Sequence, residues 1–401
     1  MPLALYMLGL AVFAQGTSEF MLSGLVPDIA PDLHVSIPAA GSLTSAFAVG
    51  MIVGAPLMAV LSRRWSQRRS LLVFLVVFLL VHVLGAVTTS YEVLLATRVV
   101  AALANAGFLA VALVTATGMV APNAKGRATS VLLAGTTLAC VVGVPAGALL
   151  GQLWGWRSAF WAVALVSAPA VVAIVRSVPA APAGAPGPAA GTDKGVRGEL
   201  RALREPRLAV TLLLGALVNG ATFCTFTYLA PLVTTVSGIG AAWVPAVLAL
   251  FGLGAFAGIT VGGRMADTRP VPLLVTGGTA LLTGWAVFAV TAGSPVAAMV
   301  LVPVQGALSF AVGSTLIARA LYAATGAPTL GGAFATAALN VGAAAGPWIG
   351  GAAIGAGLGY RSPLWVSALL VALAFATAGV TAGATAGAAR RAARRQVSPC
   401  P

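Results

Sequence analysis

The residues best equipped for chemistry lie in Gln15-Gly16-Thr17-Ser18-Glu19-Phe20. Only eight of the 401 residues are Asp or Glu, and Glu19 alone sits well inside a long apolar run. A carboxylate at membrane depth costs at least about 2.5–3.5 kcal/mol, so it is expected to face a wet cavity and to act there. The chemistry this predicts is reversible protonation, which couples a proton or cation to another process; a purely structural hydrogen-bonding role is the alternative. His82, in a later apolar run, can also titrate. With no partner visible in the sequence, it reads as structural.

The elements that must position Glu19 are membrane helices. Apolar residues make up 59% of the chain and charged residues 7%, against about 25% charge in a soluble domain. About 20 apolar residues cross a ~30 Å hydrocarbon core as a helix. Twelve such spans are predicted, over 4–27, 41–61, 70–89, 93–120, 127–151, 158–176, 208–235, 241–262, 271–291, 295–319, 330–355 and 363–387. The first reads as a retained span, since no Lys or Arg precedes Arg63. All but three of the 22 Lys and Arg fall in loops on the side of the termini, the exceptions being Arg98, Arg157 and Arg361. The positive-inside rule therefore predicts cytoplasmic termini, and it explains the net charge of +14 without a nucleic-acid partner. The three cysteines form no disulfide framework or metal spacing, and no nucleophile–base pair, phosphate loop or cofactor motif marks an enzyme.

Residues 177–207 interrupt the pattern. Pro179–Gly191 is a Pro/Ala/Gly run that reads as a flexible linker, and the charged stretch Glu199–Arg207 reads as a short surface helix. The domains expected are an N-terminal six-helix bundle over 1–176, a cytoplasmic linker over 177–207, a C-terminal bundle over 208–388 and a tail over 389–401. The two bundles are repeats. A constant shift of 204 residues pairs Gln15 with Asn219, Pro27 with Pro231, Gly50 with Gly254, Gly54 with Gly258, Arg157 with Arg361, Ser158 with Ser362 and Trp161 with Trp365. Repeats of like orientation predict a substrate site near mid-membrane between the halves. Gly50/Gly54 and Gly254/Gly258 are expected either to pack helices closely or to form a sliding surface between the halves.

The same shift pairs Glu19 with Phe223, so the acid is one-sided, which favours function over architecture. The amides of Gln15 and Asn219 suit a polar but neutral substrate, since they bond it without burying a charge. Asn105, Gln305 and Asn340 extend this polar set, and Phe20, Phe47, Phe108, Phe223, Phe226, Tyr228 and Phe310 are candidates for apolar walls. The substrate-binding residues expected are Gln15, Phe20, Asn105, Asn219, Phe223 and Asn340. With so few membrane acids, a neutral amphiphile exchanged against protons fits best.

Three motif regions make the chain resemble the major facilitator superfamily, specifically its twelve-span drug/proton antiporters. Gly263-Arg264-Met265-Ala266-Asp267-Thr268-Arg269 is similar to that family's cytoplasmic loop motif, which helps latch one state. The counterpart at Leu61–Arg69 departs from it, with Arg63 where the Asp would stand. Arg98, too deep in the fourth span for a loop charge, resembles the family's span-four Arg, to which proton transfer is attributed. A buried guanidinium needs a partner, and Glu19 or Asp28 are the acids available. Gly143, Pro145 and Gly147 in span five look like a variant of the antiporter motif, which implies export, and Gly346-Pro347 is a closer copy in span eleven. Gly16–Phe20 with Gly24–Ala30, Gly41–Pro56 and Gly155–Trp161 point to the sugar-efflux-like and chloramphenicol-resistance exporters.

The resemblance implies an all-helical membrane protein in two pseudo-symmetric six-helix halves, in the bacterial cytoplasmic membrane. It implies proton-coupled efflux of a small amphiphilic drug such as chloramphenicol by alternating access. Glu19, Arg98 and Asp28 would couple protons, and the protein would act as a monomer with no cofactor and no metal. Export of sugars or other metabolites, or import of a nutrient, is the alternative.

Overall fold

The computed structural model describes residues 3–61, 65–121, 124–178, 203, 205–266, 269–324 and 331–396. Among them twelve helices are long and apolar enough to cross a membrane. Spans 1 to 4 are Leu3–Phe20 continued by Leu22–Asp32, Ile37–Leu61, Gln67–Val87 and Tyr91–Gly118. Span 5 joins Lys125–Leu138 and Val144–Trp154 through a π-turn at Ala139–Gly143, and span 6 is Arg157–Ser177. Span 7 is Pro206–Thr227, followed by Leu229–Pro231 and a π-turn at Leu232–Val236. Spans 8 to 12 are Val244–Ala266, Pro270–Thr291, Pro295–Ala323, Gly331–Ala353 with a π-turn at Ile354–Leu358, and Ser362–Gln396. The Pro179–Gly191 linker and most of the expected surface helix at Glu199–Arg207 lie outside the described residues, and Pro206 and Arg207 belong to span 7 instead.

The repeat seen in the sequence is a repeat of backbone geometry. Ser90 and Ser294, 204 residues apart, cap spans 4 and 10, their hydroxyls accepting from Val93 N–H at 3.3 Å and Ala297 N–H at 3.4 Å. Each such cap stabilises a helix start by about 1 kcal/mol. Gly155 and Gly359 both turn with positive φ, +79° and +72°, ahead of spans 6 and 12. Ser158 and Ser362 then donate to the Gly155 and Gly359 carbonyls, each at 2.7 Å. His34 and Gly238, also 204 apart, take positive φ in equivalent loops.

Small residues set the packing inside each half. A Cβ on Gly50 would sit 2.7 Å from the Val99 carbonyl oxygen, and one on Gly54 would sit 3.0 Å from Leu103 Cα. Gly254 and Gly258 meet Pro303 and Ala307, the residues 204 further on. Both glycine pairs therefore join span 2 to span 4, and span 8 to span 10, within one half. They are close-packing contacts, and a sliding surface between the halves is not where they lie. Dispersion at short backbone separation replaces the hydrophobic effect that lipid cannot supply.

Span 1 departs from the expected continuous helix over 4–27: it breaks at Met21 and resumes to Asp32. The Gly24 N–H turns to Met21 O, and the Ser23 hydroxyl takes the Phe20 carbonyl at 3.0 Å. Pro27 and Pro31, which have no N–H, further weaken the ladder beyond the break. The contacts joining the halves run from mid-depth to the end remote from residue 3. They include the Gly252 backbone against Cys140 and Val141, the Ser45 hydroxyl donating to Ala344 O at 2.7 Å, and Tyr228 wedged against Gly41 and Gly351.

Candidate functional site

Residues 15 to 20 lie at the end of the first helical segment of span 1, just before its break. Successive helical residues point about 100° apart, so Ser18, Glu19 and Phe20 serve three different neighbourhoods. Thr17 packs on span 5, where a Cβ on Gly143 would collide with its hydroxyl. The antiporter-like stripe thus has a defined place: Gly143, Gly147 and Gly151 face Thr17, Met21 and Leu25 of span 1. The π-turn at Ala139–Gly143 ends two residues before Pro145, which opens the second half of span 5.

Ser18 points into the first half and meets Arg98, whose guanidinium donates to Ser18 Oγ at 2.8 Å and to the Ser18 carbonyl at 2.7 Å. The Phe47 ring lies over the same guanidinium, 4.5 Å from carbon to centroid. Ser18 Oγ is also 2.6 Å from His82 Nε2, and His82 Nδ1 is 2.7 Å from the Phe78 carbonyl. Ser18, His82 and Arg98 are all buried. The structure here corrects the partner expected for Arg98. Arg98 takes a serine, its carbonyl and an aromatic face as partners, and no carboxylate reaches ion-pair contact with it among the described residues. His82 has two partners, both invisible in the sequence because they come from a facing helix and its own preceding turn.

Glu19 is half-buried and lies within electrostatic reach of both Arg98 and Cys140. Asp28 is not part of this group. It stands nine residues further along the chain, beyond the break at Met21, and is exposed. The acid that pairs near that end is Asp32, which accepts from Arg157 at 2.6 Å and from the Trp156 indole at 3.1 Å.

Phe20 points between the halves. Its ring lies 5.7 Å from that of Phe223, and the two border a small pocket with Cys140, Thr222, Phe226, Phe251 and Phe310. Phe226 stacks on Phe251 at 4.6 Å between centroids. Of the expected binding residues, Phe20 and Phe223 line this pocket. Gln15 is buried one turn before Glu19 with both amide atoms unpaired. Asn219 is half-buried and donates to Leu339 O at 2.7 Å, and Asn340 donates to Thr336 O of its own helix at 3.0 Å. Asn105 lies against Met51 Sδ. None of these three asparagines is among the residues that line the pocket, and each makes one hydrogen bond while keeping a second N–H and its carbonyl oxygen. Phe108 is in the core, Tyr228 donates to Pro347 O at 2.9 Å, and Gln305 is buried against Leu281 O. Gly263 is exposed with open space where a Cβ would stand, and Asp267 lies outside the described residues.

Cys140, Thr222 and Phe251 were missed as lining residues. The repeat held a signal for two of them: Thr222 is the 204-residue partner of Ser18, and Phe251 that of Phe47. His82 and Arg98 correspond to Ala286 and Val302. One half therefore carries a polar cluster where the other carries apolar residues and the aromatic wall.

A model of the Major Facilitator Superfamily matches residues 8–337. The chain belongs to the major facilitator superfamily. Within it, the sequence is 57% identical over 374 residues to a chloramphenicol resistance protein of Streptomyces lividans, covering 93% of this chain and 95% of that one. It is 34% identical over 367 residues to the inner membrane transport protein YdhP of Escherichia coli (strain K12), with 92% of each chain covered. Among superfamily structures, the fold matches a bacterial homologue of the lysosomal transporter Spinster in an inward-facing, unoccupied conformation, with TM-score 0.74, 17% identity, and 94% and 95% of the two chains covered. A mutant of the nucleoside transporter NupG matches with TM-score 0.75, 13% identity, and 94% and 98% covered. These likenesses establish a multi-pass membrane protein of twelve helices in two six-helix halves.

Proposed function

We propose that this superfamily member exports chloramphenicol, or a small neutral amphiphile like it, across the bacterial cytoplasmic membrane in exchange for protons. The observation that carries the reading is the 57% identity to the Streptomyces lividans chloramphenicol resistance protein over nearly the whole of both chains. In this reading both termini are cytoplasmic, as the basic residues favour, and residues 1–176 and 208–388 move as bundles about a linker at 177–207. The tail at 389–401 is cytoplasmic and the protein works as a monomer. The halves then meet at the outer end, and the pocket lined by Phe20, Phe223 and Phe226 lies between them.

Glu19 is the proton carrier in this scheme, and Arg98 supplies the fixed positive charge that sets how readily it releases the proton. The drug contacts the aromatic wall, and the free amide of Gln15 is available to bond it. Coupling arises because proton and drug favour opposite conformations. The test is accumulation of labelled chloramphenicol in energised cells. Low accumulation that rises with a protonophore, and rises equally in Glu19→Gln, is expected. No effect of the wild-type protein on accumulation sinks the assignment.

A further inference from the structure

The contacts around Ser18 fix the direction of every hydrogen bond in a buried chain. The Phe78 carbonyl only accepts, so His82 Nδ1, 2.7 Å away, carries a hydrogen. The Arg98 guanidinium only donates, so Ser18 Oγ accepts from it at 2.8 Å and must spend its own hydrogen elsewhere. His82 Nε2, 2.6 Å from that oxygen, is the acceptor in reach when the ring is neutral. An imidazolium would instead aim a second cation at the hydroxyl that already holds Arg98, in a site where like charges are poorly screened. The Phe78 and Phe160 rings close the remaining sides of the imidazole, with centroids 4.1 and 5.8 Å from it.

We propose that His82 is a positioning residue for Arg98: as the neutral Nδ1–H tautomer it anchors a one-way chain, Arg98 to Ser18 to His82 to the Phe78 carbonyl, that aims the guanidinium. Among the described residues Arg98 has no carboxylate in ion-pair contact, so this chain and the Phe47 face are what hold its orientation. Its charge is thereby kept fixed while Glu19, one residue from Ser18, changes protonation. The chain is confined to one half of the repeat, since the partners of His82 and Arg98 are Ala286 and Val302. The consequence for transport rests on the proton-coupled reading above; the tautomer does not.

Two arms test it. The chain has two histidines, so in His34→Asn the ring of His82 is the only imidazole left, and Asn tolerates the positive φ at that loop position. Nitrogen-15 spectra of that protein in micelles near neutral pH should show a protonated Nδ1 and a bare Nε2. An imidazolium, or the Nε2–H tautomer, overturns the proposal. The second arm uses proteoliposomes and compares chloramphenicol accumulation driven by a pH gradient with downhill chloramphenicol exchange. His82→Gln can still accept from Ser18 and should retain driven accumulation. His82→Asn places its amide nearer the Nδ1 position, and Ser18→Ala removes the relay oxygen. Both should lose about ten- to a hundredfold of driven accumulation while exchange persists. Equal loss of both activities in His82→Gln and His82→Asn marks a merely structural residue and overturns the proposal, as does wild-type coupling in His82→Asn and Ser18→Ala. A wild-type protein that moves no chloramphenicol fails the functional reading alone, and the spectra still decide the tautomer.

Discussion

Arg157, at the start of span 6, donates to the Asp32 carboxylate at 2.6 Å across 125 residues of sequence, and its second nitrogen donates to Thr88 O at 3.0 Å. Three connections of the first half, after spans 1, 3 and 5, are tied together at that point. The repeat partner of Asp32 is Val236, so Arg361 in the second half has no matching acid.

Partial burial pushes the Asp32 carboxyl upward. The hydrogen bonds from Arg157 and Trp156 and the Arg157 charge outweigh it, and hold the group below the usual carboxylate range. A depressed carboxyl contributes stability that is complete above its unfolded pKa, near 4, and is lost as pH falls through the lower folded value. Both partners are substantially exposed, so the pair is worth about 0.2–1 kcal/mol. Asp32→Asn should therefore lower thermal stability in detergent modestly at pH 7. Its deficit should shrink as pH drops below about 4; a deficit that persists unchanged in acid refutes the ion pair as its source.

Gly155 and Gly359 combine positive φ with ψ of 155° and 175°, a region open essentially to glycine alone. Nothing lies within 4 Å of a Cβ at either site, so substitution costs backbone strain without any clash. Gly155→Ala and Gly359→Ala should each destabilise by about 1–3 kcal/mol, and by similar amounts. Melting curves that show one tolerated and the other not would break the equivalence of the two turns.

Gly254 faces the Pro303 backbone so closely that any Cβ must push spans 8 and 10 apart. Gly254→Ala should cost about 1–3 kcal/mol, read by thermal unfolding, and Gly254→Leu should prevent accumulation of folded protein. Gly313, with open space around it, serves as the control for helix propensity alone.

Phe226 stacks on Phe251 and borders the pocket. Under the proposed function, Phe226→Leu keeps bulk and loses the ring face, worth about 0.5–1.5 kcal/mol. Half-saturation for chloramphenicol transport should rise severalfold with folding intact. Unchanged half-saturation removes this aromatic wall from the substrate site.

Much of the protein was legible in its sequence. The twelve spans follow from runs of apolar residues, because a helix must satisfy its own backbone in lipid and needs about 20 residues to do so. The repeat was legible in pairs such as Gly50 and Gly254 or Ser158 and Ser362, and the structure added the caps at Ser90 and Ser294 and the turns at Gly155 and Gly359. The prominence of Glu19 was legible because acids are scarce where water is absent. Only the tertiary structure decided who meets whom. Ser18 and Glu19 are neighbours in sequence, yet helical rotation brings only Ser18 into hydrogen-bond contact with Arg98 and His82. The choice between them depends on how spans 3, 4 and 5 pack around span 1, and on a break at Met21 that leaves Asp28 too far along to compete. Composition and spacing determine which groups are costly to bury; packing across 64 and 80 residues of chain determines which partner meets that cost.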